Sequence, residues 1–192
     1  MHRSTTPSAP ARRRRRIALV GLAILRVAIV AFVLQPWLVA SEADGVIPDG
    51  ATVSVSDEEH PAVGRLDPDL LDALRRAATD AEADGVALRV NSGWRSPEYQ
   101  QQLFQEAVME YGSKKAAARW VATAETSAHV SGDAVDVGPS NAAGWLALRG
   151  AAYGLCQIYG NEPWHYELRP AAVDDGCPPM YADPTEDPRM QP

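Results

Sequence analysis

Two short segments carry the residues that most constrain the fold of this chain, because they must meet in space to form a site. The first, 127–136, contains His129 and Asp136, and the second, 162–165, contains Glu162 and His165. Together they offer two imidazoles and one carboxylate, a set that Zn²⁺ accepts while keeping a fourth position open for water. The chain has four histidines, and two of them lie in these segments. An open position is typical of a catalytic metal rather than a structural one.

Each segment alone is weak evidence, since a single histidine in a globular domain is more often a surface or core residue than a ligand. His129 and Asp136 are not spaced for one face of a helix, so we expect a loop that enters a strand and turns at Gly132. The second segment then supplies the missing ligand, His165, and a candidate base, Glu162. The joint pattern therefore predicts a catalytic metal site.

Three motifs in one order make the chain resemble the zinc D-alanyl-D-alanine carboxypeptidases of the VanY type. They are Ser-x-His-x-x-Gly-x-Ala-x-Asp at 127–136, Glu-x-Trp-His at 162–165, and Ser-Gly-Trp-Arg-Ser at 92–96 with Gln100 shortly after. The resemblance runs from about Leu66 to Leu168. Trp94 stands where the family often has tyrosine, and the metal and base positions show no departure.

The resemblance implies a role for each central residue. His129, Asp136 and His165 would hold Zn²⁺, which would lower the pKa of its bound water to about 7 and polarise the scissile carbonyl. Glu162 would be the general base that takes the water proton and passes it to the leaving amine. Arg95 would stabilise the negative charge developing on the carbonyl oxygen, for which its planar, always charged fork is suited. Without the flanking motif, a surface salt bridge would be the favoured interpretation of Arg95.

Three further residues in these motifs are candidates for substrate binding: Ser127, Gln100 and Trp94. Ser127 would orient the substrate or a ligand, or merely hold the turn, and the sequence favours neither. Trp94 and Trp164 suit core packing better than a substrate platform.

The resemblance implies a zinc metallopeptidase that removes terminal D-Ala from peptidoglycan stem peptides. An endopeptidase of the same fold that cuts between L-Ala and D-Glu is an alternative. A third hypothesis is a cell-wall-binding module that keeps zinc but has lost catalysis. Intact Glu162 and Arg95 argue against that third hypothesis, because a degenerate site would be free to lose them.

Charge and hydropathy divide the chain near residue 40. Residues 1–40 contain seven arginines and no acidic residue, so 41–192 carries a net charge of −14, which argues against a nucleic-acid partner. The apolar run 17–34, interrupted by Arg26, would span about 27 Å as a helix, close to a bilayer core. The positive-inside rule predicts a basic cytoplasmic segment, 1–16, a single-pass membrane anchor, 17–40, and an extracellular domain. Cleavage of 17–40 as a signal peptide would instead give a secreted protein.

The remaining chain predicts an α+β domain. We expect a stalk over 41–65, with an edge strand at 51–55, a zinc peptidase domain over 66–182, and a flexible tail over 183–192. Helices come first and strands later, which favours a small, mainly antiparallel sheet flanked by helices. The resemblance implies the same DD-peptidase/hedgehog-like fold. Individual elements include a helix that begins at Asp67-Pro68, a strand over Val86 to Val90, and an alanine-rich helix from Lys114 to Ala124.

Cys156 and Cys177 are the only cysteines, and they lie on either side of the segment with Glu162 and His165. Neither cysteine has a metal-ligand spacing. An even pair in an exported protein predicts a disulfide, the alternative being two buried free thiols.

Overall fold

The computed structural model of the protein describes residues 40–190. Its strands are β1 Val53–Ser54, β2 Arg89–Ser92, β3 Ala134–Gly138, β4 Leu155–Gln157 and β5 His165–Leu168. Its α helices are α1 Pro61–Gly64, α2 Pro68–Ala83, α3 Pro97–Tyr111, α4 Lys114–Ala117, α5 Ala128–Ser131, α6 Ser140–Arg149 and α7 Ala172–Asp175. Short 3₁₀ helices cover Glu42–Asp44, Gly150–Tyr153, Pro184–Glu186 and Pro188–Met190.

The five strands form one sheet in the order β1-β2-β3-β5-β4, and every neighbouring pair is antiparallel. The prediction of an α+β domain with a small antiparallel sheet is thereby confirmed. Strand β3 lies in the centre and every residue in it is buried. The main core lies between the sheet and two helices, α2 and α6.

Helix α2 is specified locally by its cap and its apolar face. The Asp67 carboxylate accepts hydrogen bonds from the N–H groups of Asp69 and Leu70, and Pro68 occupies the favoured first position. Leu70, Leu74 and other residues at helical spacing are fully buried against the sheet. The helix therefore begins where the sequence predicts.

Two predicted elements have different bounds. The strand expected over Val86 to Val90 begins only at Arg89, because the chain first leaves α2 through the turn at Gly85. The alanine-rich helix expected to reach Ala124 ends at Ala117. There the chain turns, and the Trp120 ring stacks on Tyr111 at 6.0 Å between centroids. This tertiary contact outweighs the helix propensity of the alanines.

Residues 41–65 are part of the folded domain rather than the stalk that we expected. Val53 pairs with Val90 as the edge of the sheet, in agreement with the predicted edge strand. Val55 and Val63 are buried in the main core, and the Ala62 carbonyl accepts a hydrogen bond from the Trp94 N–H at 2.9 Å. Val53 and Val55 alternate with polar residues, which is the signal of the predicted edge strand, whereas Val63 lies in a single helical turn that is too short to show a period.

Residues 183–190 are likewise folded, and the expectation of a flexible tail from 183 is wrong for them. The Asp183 carboxylate accepts a hydrogen bond from Arg119 Nε at 2.7 Å. Asp187 is completely buried, and Arg189 donates to the buried Glu167. The proline-rich composition suggested fraying, whereas charged side chains at fixed positions fasten this segment to the domain.

Cys156 in β4 and Cys177 form a disulfide with a Cα–Cα distance of 5.6 Å. The pairing expected from the two cysteines is confirmed. The bond closes the chain around the turn that carries Glu162.

Removal of this disulfide should lower the free energy of unfolding by about 3 kcal/mol, since it would release a loop of moderate length in the unfolded chain. Urea denaturation of a Cys156→Ala/Cys177→Ala variant, compared with oxidised wild type, measures the loss. Wild type with its disulfide reduced is the control and should show a similar decrease. Equal denaturation midpoints for oxidised wild type and the variant would contradict the expectation.

The predicted basic segment, 1–16, and nearly all of the predicted membrane segment, 17–40, lie outside the described residues. Among residues 40–190, no helix combines the length and the apolar character that crossing a bilayer requires.

Candidate metal centre and active site

Asp136, His129 and His165 converge at the middle of the sheet. Asp136 of β3 and His165 of β5 are cross-strand partners, and α5 brings His129 to the same point. Asp136 Oδ1 lies 3.3 Å from His165 Nδ1 and 3.4 Å from His129 Nε2. All three side chains are buried, and one potential ligand atom from each lies within 4.8 Å of the others. The structure therefore brings the three predicted ligands together.

The backbone around His129 fixes which ring nitrogen faces the centre. His129 Nδ1 lies 2.8 Å from the Gly93 carbonyl oxygen, so a neutral ring donates its Nδ1–H there and leaves Nε2 facing Asp136. The residue lies on the single turn of α5 rather than in the expected loop. Gly132 ends that turn with φ +84° and directs the chain into β3, the turn role predicted for it.

The His165 ring is held on the side away from His129. Its Nε2 lies 3.3 Å from Glu167 Oε1, and the Tyr159 ring lies against it with 5.1 Å between centroids. Glu167 is completely buried and forms ion pairs with Arg169 and Arg189. Burial would raise the pKa of Glu167, but its hydrogen bonds with His165 and Arg189 hold it far below its ordinary value.

Glu162 lies in the turn between β4 and β5, with Oε2 3.8 Å from His165 Nδ1. Its side chain is nine-tenths buried, and Oε1 has no hydrogen-bond partner among the described residues. Burial is the main cause that raises the pKa of this carboxyl to about 7. A buried oxygen without a partner requires an explanation, and a site that receives a proton supplies one.

Arg95 is fixed by three hydrogen bonds before any substrate is present. Its Nε donates to Ser92 Oγ at 2.8 Å, Nη1 to Gln100 Oε1 at 3.1 Å, and Nη2 to Asp136 Oδ2 at 2.9 Å. Gln100 is almost completely buried and is held in turn by the Ala122 carbonyl, to which its amide donates at 2.8 Å. Gln100 therefore orients Arg95, a role that the sequence did not specify.

An open cavity of about 320 Å³ joins these groups to the surface. One wall follows a single face of α3, where Gln100, Leu103, Ala107 and Tyr111 recur at helical spacing. At 1.5 Å per residue this wall is about 16 Å long. The stacked pair Tyr111 and Trp120, each about two-fifths exposed, forms its far end.

Of the remaining candidates for substrate binding, Ser127 lines the cavity and Trp94 does not. Ser127 is buried and lines the cavity, as does the half-exposed Trp164. Trp94 is not among the residues that line this cavity, and its assignment to substrate binding stays a prediction. The Arg65 guanidinium lies 4.3 Å above its ring, and the backbone of Gly45 packs closely against it. Trp94 is a packing residue that joins the N-terminal part of the domain to the Arg95 loop.

The donor set fits a divalent metal of the zinc type. Burial lowers the pKa of His129, which keeps its imidazole neutral, the form that binds metal. Burial would raise the pKa of Asp136, but the neighbouring histidines and Arg95 hold it well below its ordinary value, so it is an anion. Although burial opposes the change, hydrogen bonds with Asp136 and Glu167 raise the pKa of His165 to about 9. Metal binding there would therefore release a proton.

Three residues of the site were missed by the sequence analysis: Tyr159, Glu167 and Arg189. Glu167 carried a usable signal, because residues two apart in a strand face the same way and His165 was already a candidate ligand. Tyr159 and Arg189 carried none, since their contacts depend on how distant parts of the chain pack.

Comparison with known proteins gives one matching family. The family model described as "VanY: D-alanyl-D-alanine carboxypeptidase" matches residues 64–171, more than half of the chain. A curated D-alanyl-D-alanine carboxypeptidase of Enterococcus faecalis (strain ATCC 700802 / V583) is 37% identical over 126 residues. The match covers 51% of this chain and 43% of that protein, so the chain spans less than half of its relative's length.

Several solved structures have a fold similar to that of this chain, and three of them are compared with it below. One is a mutant of the vancomycin resistance D,D-pentapeptidase VanY from the VanB-type resistance cassette, in complex with Zn(II). It has a TM-score of 0.52 and 30% identity, and the match covers 64% of this chain and 82% of that one. VanYB in complex with D-Alanine-D-Alanine has a TM-score of 0.55 and 25% identity, with 72% and 88% covered. The LdcB LD-carboxypeptidase has a TM-score of 0.53 and 26% identity, with 69% and 72% covered.

Proposed function

Because the chain belongs to the VanY family of D-alanyl-D-alanine carboxypeptidases, we propose that it is a zinc-dependent D,D-carboxypeptidase that removes terminal D-Ala from peptidoglycan stem peptides. One observation carries the proposal. His129, Asp136 and His165 converge beside Glu162, whose buried Oε1 has no partner among the described residues and whose side chain lines an open cavity. A ligand set next to an available base is what hydrolysis of an amide requires.

Zinc fits the three ligands by donor type, burial and charge, and one similar structure contains Zn(II). When bound, the metal would supply a Lewis acid and a water of lowered pKa. The protein's task is to hold the three ligands in place. The Gly93 carbonyl orients His129. The pairing of β3 with β5 brings Asp136 beside His165, and Glu167 orients the His165 ring.

Glu162 would accept the proton of the attacking water and deliver it to the leaving amine. Burial raises the pKa of this carboxyl above its ordinary value, towards the pH range in which a base is most effective. Arg95 would donate to the carbonyl oxygen as negative charge develops on it. The bonds from Arg95 to Ser92 and Gln100 keep its guanidinium oriented, so little reorganisation is needed during the reaction.

The cavity suits an extended peptide. Its wall along α3 is about 16 Å long, and an extended residue spans about 3.3 Å, so about five residues would fit. This length matches a short stem peptide whose end lies at the metal and whose upstream residues lie along Leu103 and Ala107. Ser127 is buried and lines the same cavity as the metal ligands, which supports a role in orienting the terminal residue.

Incubation of the full-length protein with a pentapeptide stem, with and without a chelator, tests the proposal. We expect mass spectrometry to show loss of one alanine only without chelator. Release of the last residue from a tetrapeptide instead would favour an L,D-carboxypeptidase, a second candidate that the similarity to the LdcB LD-carboxypeptidase supports. A larger released peptide would indicate an L-Ala-D-Glu endopeptidase. Binding of zinc without turnover of any of these substrates would indicate an inactive cell-wall-binding module.

We expect one zinc ion per chain, lost when either histidine ligand is replaced. His129→Ala and His165→Ala should each abolish stoichiometric zinc, because two remaining ligands hold zinc poorly. Metal analysis after dialysis makes the measurement. His60→Ala is the control and should keep zinc, since His60 is not one of the three converging residues and its ring accepts a hydrogen bond from the Ala62 N–H. Full zinc content in both ligand variants would contradict the assignment.

We also propose that residues 17–40 anchor the protein in the cell membrane as a single span, with the catalytic domain outside. Secretion after signal cleavage is the alternative. The basic residues before this apolar segment support the orientation, and the disulfide supports an oxidising compartment. Fractionation of expressing cells tests this proposal: protein at full mass in the membrane fraction supports an anchor, and shorter protein in the medium supports cleavage.

A further inference from the structure

The last described segment of the chain contacts the residues that surround the His165 ring. We call residues 181–190 the C-terminal strap. Its first residues pair with the chain that leads into the active-site turn: Tyr181 N–H donates to Ile158 O at 3.0 Å, and Gly160 N–H donates to Tyr181 O at 2.8 Å. Asn161 N–H donates to Ala182 O at 3.2 Å, which extends the contact to the residue before Glu162.

Arg189 of the strap lies between two buried carboxylates. Towards Glu167 it makes a two-pronged contact, with Nη1 to Oε2 at 2.6 Å and Nη2 to Oε1 at 3.2 Å. Towards Asp187 its Nε donates to both oxygens at 3.1 Å. Glu167 and Asp187 are both fully buried, so each carboxylate depends on such donors to remain charged in the interior.

Glu167 contacts the His165 ring directly, and Asp187 holds Tyr159, which packs against the same ring. Glu167 Oε1 lies 3.3 Å from His165 Nε2 and therefore fixes the edge of the ring. Tyr159 lies against the ring, and its hydroxyl donates to Asp187 Oδ2 at 3.0 Å. The guanidinium of Arg189 therefore contacts both carboxylates, Glu167 and Asp187, that hold the surroundings of His165.

We propose that Arg189 is a positioning residue for the metal ligand His165, acting through the buried carboxylate of Glu167. This inference rests on the proposed zinc site and goes beyond it, because it makes zinc affinity depend on the C-terminal strap. A histidine ligand whose second nitrogen is hydrogen-bonded to a fixed carboxylate is held in the tautomer and orientation that the metal needs. The guanidinium of Arg189 fixes the Glu167 carboxylate by donating to both of its oxygens, and Arg169 donates to one of them.

Loss of Arg189 should weaken zinc binding without removing any ligand. Replacement of an outer partner of a metal ligand typically costs about 10- to 100-fold in metal affinity. We expect a decrease of this size for Arg189→Met, which keeps a flexible, unbranched stem but removes the donors. Arg189→Lys should lose less, because an ammonium restores the charge but not the planar fork.

The test measures zinc affinity of the full-length protein by competition with a chromophoric chelator, together with the visible spectrum of the Co²⁺-substituted protein. The spectrum reports ligand geometry independently of activity. Arg149→Met is the matched control, since Arg149 also pairs with one carboxylate and lies over a tryptophan ring, but on α6 away from the centre. Its zinc affinity should equal that of wild type.

A double-variant cycle separates positioning from general stability. If Arg189 acts through Glu167, Arg189→Met and Glu167→Gln should not lower affinity independently, and the double variant should lose much less than the product of the two losses. A merely structural role would lower the melting temperature of the zinc-free protein and leave the zinc affinity of its folded fraction unchanged.

Unchanged zinc affinity in folded Arg189→Met, or independent losses in the cycle, would overturn the inference. If Arg189→Met does not fold, wild-type affinity in Arg189→Lys together with weakened Glu167→Gln would overturn it as well. Failure of wild type itself to bind zinc would instead reject the proposed metal site.

Discussion

Replacement of Glu162 by glutamine is expected to lower kcat by about 10²- to 10⁴-fold while the protein still folds and binds zinc. The substitution keeps the size of the side chain and removes its ability to accept a proton. Because the carboxylate is buried and its Oε1 has no partner among the described residues, an amide should be accommodated there without loss of an existing hydrogen bond. The effect should therefore appear in the chemical step rather than in stability.

Steady-state kinetics with a pentapeptide stem, metal analysis and thermal denaturation make the measurement. Glu82→Gln is the matched control, the same chemical change on the exposed side of α2, and it should leave kcat unchanged. If the Glu162→Gln enzyme, fully loaded with zinc, kept more than about a tenth of the wild-type rate, Glu162 would not be the general base.

Replacement of Arg95 by alanine is expected to lower kcat more than it raises KM. The carbonyl oxygen gains negative charge only as water attacks, so a fixed guanidinium stabilises the transition state more than the ground state. Loss of one such donor commonly costs about 3–4 kcal/mol. Arg95→Lys should recover little, because the donors of an ammonium share one nitrogen and do not reproduce the planar fork that reaches Ser92 and Gln100 through separate nitrogens.

The contact between Arg95 Nη2 and Asp136 Oδ2 gives this experiment a second readout. Zinc content should be measured beside the kinetics, because loss of metal in Arg95→Ala would mean that the arginine mainly holds the ligand Asp136. A large rise in KM with kcat unchanged would mean that Arg95 binds the substrate carboxylate equally in both states. Either result would reject its role at the carbonyl oxygen.

The centre of the site was predictable from sequence, and its surroundings were not. Residue type and order sufficed to single out His129, Asp136, Glu162 and His165, whose side chains the structure brings together. The residues that orient them do so through contacts between distant parts of the chain. Arg189 is an arginine in a proline-rich end with no motif around it, and only the folded chain brings it to Glu167.

The fold shows the same division. Helix α2 has a cap, a first-turn proline and a continuous apolar face, and its start was predicted correctly. In residues 41–65, Val53 and Val55 alternate with polar residues as a strand does, but Val63 is buried from a single helical turn that is too short to show a period. Composition then suggested a stalk, although the edge strand within it was recognised.

The folded parts on either side of the matched region, 64–171, have a practical consequence for anyone who divides this protein for expression or crystallisation. A fragment cut to those limits would expose the edge of β2, because β1 would be absent. It would leave Cys156 as an unpaired thiol and remove one of the two arginines that neutralise Glu167. An unpaired strand edge and a free thiol both promote association between molecules. The smallest fragment worth purifying therefore begins no later than residue 41 and extends through residue 190.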